Sequence, residues 1–232
     1  MVLYDGHGNE IEMATSVAGV AVPAVVGAKV CAIGDSNTQY MGHDLETYVK
    51  KYTGIASLRN FGYAGCKWET TAGVTDMGNG SAVGKVNQLI ANPDPDTNMC
   101  TDYDIITIMM GTNMANMGAL TDTSANVETM CGAMRYCLEK LLYYYRSSRI
   151  GGIIPPQRET INKEQNERNE LIRAIYKEYS IPVLELFYEG QIVPNSKIPD
   201  GNGYYVSTDG THLAGNGQKS IYRKYADFIS RL

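Results

Sequence analysis

The chain has 232 residues, of which 44% are hydrophobic and 19% charged, with a formal net charge of −5. That length is enough for one sizeable hydrophobic core, and an acidic balance without a basic stripe argues against a nucleic-acid surface. No apolar run approaches the roughly 20 residues that a membrane-spanning helix needs, so no span is expected.

The N-terminal residues Val2-Leu3-Tyr4, the glycine-rich Asp5-Gly6-His7-Gly8-Asn9 and Glu10-Ile11-Glu12-Met13 read as a hairpin. A small-residue connector follows to about Lys29. Acids without Lys or Arg precede its apolar part, the wrong flank for a signal peptide. Residues 1–28 are therefore expected to be an appendage and residues 29–232 the domain. Such a hairpin suits attachment to a larger particle or surface, or the joining of two copies. Nothing in the chain gives a cellular address.

From there strands and helices alternate. Val30 to Ile33 reads as a strand ended by Gly34, and Asp44 to Tyr52 as a short helix. Ser57 to Phe61 is a second strand, and Val83 to Ile90 a helix stopped at Asn92-Pro93. Asp104 to Met110 is apolar enough for a strand covered on both faces. Val127, Met130, Cys131, Met134, Leu138, Leu141, Leu142 and Tyr145 recur at helical spacing. Ile150 to Ile154 is a strand halted by Pro155-Pro156. Leu171, Ile172, Ile175, Tyr176 and Tyr179 mark a further helix, and Ile181 to Leu186 a fifth strand. Ile221, Tyr225, Phe228, Ile229 and Leu232 line the last helix. This alternation predicts an α/β fold, a five-stranded parallel sheet with helices on both sides.

In open α/β sheets, ligands bind beyond the carboxyl ends of the strands. Chemistry-bearing residues gather at those ends. Ser36 follows the first strand at a sharp glycine turn, Asn60 through Gly65 follow the second, and Gly111-Thr112-Asn113 follow the third. Asp209 and His212 stand just before the last helix. A serine at a strand-to-helix turn is a recurrent nucleophile. Asp209, three residues before His212, can reach its Nδ1 and fix the tautomer, so the three form a candidate Ser-His-Asp triad. The plainer readings are a helix N-cap for Ser36 and a turn former for Asp209.

Metal chemistry finds no ligand set. His43-Asp44 lacks a second histidine at helical spacing, and Asp5 to Asn9 lacks the ligand spacing of a calcium loop. No metal or cofactor is expected. The five cysteines (31, 66, 100, 131 and 137) form no CxxC pair, and buried free thiols are the expected state. Cys66, beside Gly65, has nothing near it in sequence to lower its pKa and reads as a packing residue.

Four blocks in order, Gly34-Asp35-Ser36, Asn60 to Gly65, Gly111-Thr112-Asn113 and Asp209-Gly210-Thr211-His212, resemble those of the SGNH hydrolases, also called GDSL esterases and lipases. The resemblance implies a flavodoxin-like three-layer fold that hydrolyses esters without a metal. It also implies an oxyanion hole made of the Ser36 N–H, the Gly65 N–H and the Asn113 amide. Without it, Gly65 reads as a turn residue and Asn113 as a helix cap. The chain departs from the family pattern at Asn37, where leucine is common, and at Met114, where aspartate often stands.

For substrate, Trp68 on the Gly65 loop, Met114 beside Asn113, and Tyr204 and Tyr205 before Asp209 are the candidate contacts. The aromatic three read equally as sugar-stacking or as packing residues. No long apolar lid is evident. The expected activity is hydrolysis of short acyl esters, acetyl above all, on a carbohydrate. The rivals are an acyltransferase on the same scaffold and a surface-attached carbohydrate-binding module.

Overall fold

The computed structural model describes residues 25–113, 116–158, 163–193, 195–197, 203–204 and 209–232, and the backbone of two short N-terminal strands. Those strands, β1 (Leu3–Tyr4) and β2 (Glu10–Ile11), pair antiparallel as a hairpin.

The main sheet contains β3 (Lys29–Gly34), β4 (Ser57–Gly62), β5 (Ile105–Met109), β6 (Arg149–Ile154) and β7 (Val183–Glu185). Every pairing is parallel, in the order β4-β3-β5-β6-β7. This is a flavodoxin-like order, whose topological switch point falls where connections from the first strand leave to opposite sides. Here that point lies between the carboxyl ends of β3 and β5.

Six helices flank the sheet among the described residues: α1 (Ser36–Thr53), α2 (Ala82–Leu89), α3 (Met130–Tyr144), α4 (Lys163–Glu178), α5 (Leu186–Glu189) and α6 (Gly215–Ile229). Alternate side chains of each strand feed two cores. Cys31, Ile33, Ile106 and Ile108 pack with residues of α2, α3 and α4. Val30, Ala32, Ile105 and Met109 pack with Met41, Leu45 and Val49 of α1 and Ile221, Tyr225 and Phe228 of α6. Burial on both faces explains why β3, β5 and β6 are largely apolar runs and not alternating ones. Val25 and Ala28, at the end of the expected connector, belong to the second core.

Two elements differ from expectation. Helix α1 starts at Ser36, eight residues before Asp44, and its Gly42 leaves helical geometry (φ 52°), marking a kink. Its first turn is held by side-chain hydrogen bonds, which periodicity of apolar residues does not report. After β7, the Glu185 carboxylate accepts from the Phe187 and Tyr188 N–H groups and nucleates the one-turn α5.

Candidate active site

Gly34 ends β3 with the backbone turning directly into α1. A Cβ there would lie 2.9 Å from the Met109 carbonyl oxygen and collide with Thr38, so only glycine permits this approach. Asp35 caps α1. Its fully buried carboxylate accepts from the Asn37 N–H at 3.0 Å through Oδ1 and from the Thr112 N–H at 3.1 Å through Oδ2. One side chain thus ties the turn after β3 to the loop after β5. Burial raises the Asp35 carboxyl above its usual range, against the opposing pull of Thr112, Asn37 and Arg168.

Ser36 occupies the first position of α1, where backbone N–H groups have no intrahelical partner and the helix end is electropositive. His212 Nε2 stands 2.9 Å from Ser36 Oγ, and its Nδ1 stands 2.7 Å from Asp209 Oδ2. The other carboxylate oxygen, Oδ1, accepts from the Thr211 N–H at 2.8 Å and the His212 N–H at 2.9 Å. Burial alone pushes this carboxyl up. The His212 and Thr211 N–H groups and the imidazole together hold it down at about 2. Asp209 is thereby an anion that orients His212 while His212 faces Ser36.

The loop after β4 closes the site from the other side. Tyr63 donates its N–H to the Gly34 carbonyl at 3.1 Å, Asn60 Nδ2 donates to the Thr38 carbonyl at 2.7 Å, and Ala64 donates to Gln39 Oε1 at 2.6 Å. Gly65 sits at the exposed corner of this loop with φ 75°, a left-handed conformation that other residues adopt at a cost. Asn113 Nδ2 donates to the carbonyl of Cys66 at 3.4 Å, which sets its amide beside that corner. The two expected oxyanion donors outside α1 are therefore neighbours.

The expected substrate contacts fare differently. Trp68 is fully buried in the first core, edge-on to Tyr176 with ring centroids 6.5 Å apart, so a sugar cannot stack on it. The loop folds back beneath the site after Gly65 and carries the indole inward, so of the two readings of Trp68 the structure supports packing and not sugar-stacking. Tyr204 is half-buried against the second core, and its carbonyl accepts the Ala214 N–H at 2.8 Å. Met114 and Tyr205 lie outside the described residues. Cys66 is buried, and burial pushes its thiol up to about 12, as suits a packing residue.

Three contributors were not foreseen. Asn37 bridges the two halves of the site: its Nδ2 lies 3.4 Å from Thr112 Oγ1 and 3.5 Å from the Thr211 carbonyl, and its Oδ1 accepts from the Leu213 N–H at 3.3 Å. The signal was its departure from the family's leucine. Tyr40, about half exposed, packs edge-on to the His212 ring at 5.0 Å between centroids. Arg158 donates through Nη2 to the Thr112 carbonyl beside Asn113.

Comparison with known proteins bears on the family and the fold. Residues 32–219 match the model of the GDSL-like Lipase/Acylhydrolase family. Similar solved structures include a protein from Lactobacillus plantarum, at 19% identity and a TM-score of 0.67, covering 89% of this chain and 98% of that one. A lipase/acylhydrolase from Enterococcus faecalis is 16% identical with a TM-score of 0.56, covering 88% of this chain and 96% of that one. A member of the lipolytic protein G-D-S-L family from Veillonella parvula is 15% identical with a TM-score of 0.55, covering 88% and 99%. These identities carry the fold alone. No curated protein matches the chain. With its family model spanning most of its length, the chain belongs to the GDSL-like lipase/acylhydrolase family.

Proposed function

We propose that the protein is a serine esterase acting on short acyl esters, acetyl above all, of polar alcohols such as carbohydrates. The observation that carries the reading is the continuous relay from Ser36 Oγ through both ring nitrogens of His212 to Asp209. In the first step the Ser36 oxygen bonds to the ester carbonyl carbon as its proton passes to His212 Nε2. The charge that gathers on the carbonyl oxygen is met by the Ser36 N–H, the Gly65 N–H and the Asn113 amide. His212 then gives the proton to the leaving alcohol, and the C–O bond to that alcohol breaks. Water then attacks the acyl-serine carbonyl carbon as its proton passes to His212 Nε2; the bond from that carbon to Ser36 Oγ breaks, His212 returns the proton to Oγ, and the acid leaves. Asp209 keeps the imidazole in the tautomer that accepts at Nε2.

The exposed rings of Tyr40 and Tyr63 beside the site offer faces for a sugar in place of the buried Trp68. The test is turnover of 4-nitrophenyl acetate by the wild type and by Ser36→Ala. The variant should lose roughly 10⁴-fold or more in kcat while keeping its fold by circular dichroism. A fluorophosphonate should label Ser36 alone. Labelling at another residue, or full activity in Ser36→Ala, defeats the reading.

A further inference from the structure

Beside Asn113, and outside the triad, lies a cavity of about 280 Å³ whose walls include Lys67, Thr112, Asn113, Arg158, Glu164 and Arg168. The volume lies just below the roughly 300–1,000 Å³ range of small-molecule sites, enough for one compact group. Its lining is unusual for a cavity walled partly by a protein interior. Three cations face one carboxylate, that of Glu164. Arg168 is 4% exposed, and its Nη2 is buried with no hydrogen-bond partner among the described residues. Arg158 Nε is likewise buried and unpartnered, although Nη2 of the same side chain is bonded to the Thr112 carbonyl.

A buried donor on a charged group is costly to leave unpaired. Two such groups side by side also repel each other. Burial, and then the charge of Arg158, bring Arg168 down to about 10, with Glu164 and the buried Asp35 pulling the other way. Arg168 donates its Nε to Asn169 Oδ1 at 3.4 Å, which orients the guanidinium but supplies no counter-charge. Paired guanidinium forks are the arrangement that recognises a carboxylate, phosphate or sulfate through two parallel hydrogen bonds. Because Thr112 and Asn113 form both the wall of this cavity and the rim of the catalytic centre, an anion held here would sit next to the reacting ester.

We propose that this cavity is an oxyanion-recognition subsite, and that the natural ester carries a carboxylate, phosphate or sulfate close to its scissile bond. The assignment rests on the esterase reading above and adds the charge class of the substrate to it. It also gives Arg158 a role in specificity: its bond to the Thr112 carbonyl fixes one fork of the subsite against the loop that carries Asn113.

The test compares three esters: neutral 4-nitrophenyl acetate, 4-nitrophenyl hemisuccinate with its carboxylate on the acyl side, and 3-carboxy-4-nitrophenyl acetate with its carboxylate on the alcohol side. The ratio of kcat/KM for an anionic ester to that for the neutral one should fall about tenfold or more in Arg158→Gln, chiefly through KM. Arg158→Lys should recover part of that loss. Which anionic ester responds identifies the limb of the substrate that enters the cavity. Inorganic sulfate should compete with the responsive ester in the wild type and much less in Arg158→Gln. Since Arg168→Gln removes a buried group and can unfold the chain, Lys67→Met serves as the second variant, with a smaller fall in the same ratio.

Calorimetric titration of sulfate into Ser36→Ala separates this proposal from the reaction itself. Sulfate binding that Arg158→Gln abolishes, without turnover of any ester, supports the subsite and overturns the esterase reading. Turnover whose anionic-to-neutral ratio is the same in wild type, Arg158→Gln and Lys67→Met, with no sulfate binding, overturns the subsite and leaves the esterase reading standing.

Discussion

The two halves of the proposed active site are built on opposite plans. The nucleophile turn, Gly34 to Thr38, is buried and cross-tied, with Asp35 fully enclosed and Asn60, Tyr63 and Thr112 bonded to it or to its cap. The acid–base turn, Asp209 to Leu213, stands at the surface, with 39% of the Asp209 side chain and 29% of the His212 side chain exposed. Its order comes from a local closed ring of bonds in which Asp209 serves its own loop and the imidazole at once. Tertiary burial therefore positions the serine, whereas three hydrogen bonds accepted by one carboxylate position the proposed base. Perturbing the buried scaffold of the first half, Gly34 and Asp35, should register mainly as stability, and perturbing the acid of the second mainly as rate.

Asp209→Asn gives the largest effect on this contrast. The amide cannot hold the imidazole in its working tautomer or stabilise its protonated form. We expect kcat on 4-nitrophenyl acetate to fall between about 10² and 10⁴-fold, with the thermal midpoint at neutral pH shifted by only a few degrees. A variant that unfolds at room temperature would mean that the acid loop is as deeply integrated as the nucleophile turn.

Asn37→Leu cuts the tie between the halves and restores the residue common in the family. Leu213 loses its side-chain acceptor and Thr211 its donor, at contacts of 3.3 to 3.5 Å that are each worth about 1 kcal/mol. His212 should then sample positions away from Ser36. The expected result is a fall of about fivefold in kcat with KM little changed, measured on the neutral ester. An unaltered kcat would show that the acid loop holds itself in place without Asn37.

How much of this was legible in the sequence depends on what kind of force fixes each element. Strands β3, β5 and β6 and helices α3 and α6 were readable because burial writes itself as apolar runs or helical periodicity. The first turn of α1 was not, since Asn37 points its side chain into hydrogen bonds and Thr38 is a small polar residue, so the turn carries no apolar stripe. The candidate triad could be proposed because three residue types stood in a telling order. Trp68 stayed open between stacking and packing because a loop aromatic carries no local sign of which way the loop folds. Nor did anything local mark Arg158 and Arg168, ten residues apart, as walls of one cavity beside Asn113. That juxtaposition is made by the packing of α4 against the loop after β5.

The smallest predicted effect tests the same contrast through protons. Asp209 is held at about 2, below the roughly 3.9 of an aspartate in an unfolded chain. The unfolded state therefore binds its proton first as the solution is acidified. Its stabilisation is complete above about pH 4 and is lost as pH falls through about 2. Asp35 runs the other way. Burial raises its carboxyl, so the folded state holds the proton more tightly, and this group's contribution to stability declines as pH rises above about 4. Urea midpoints from pH 2 to 7 should show the wild type exceeding Asp209→Asn above pH 4 and converging with it towards pH 2. The gap should be small, because the exposed carboxylate is screened by solvent. Asp35→Asn, weakened at every pH by the loss of an acceptor, should instead close its gap with the wild type as pH rises. If both difference curves slope the same way, the two carboxylates share one environment, and the division into a buried half and a surface half does not hold.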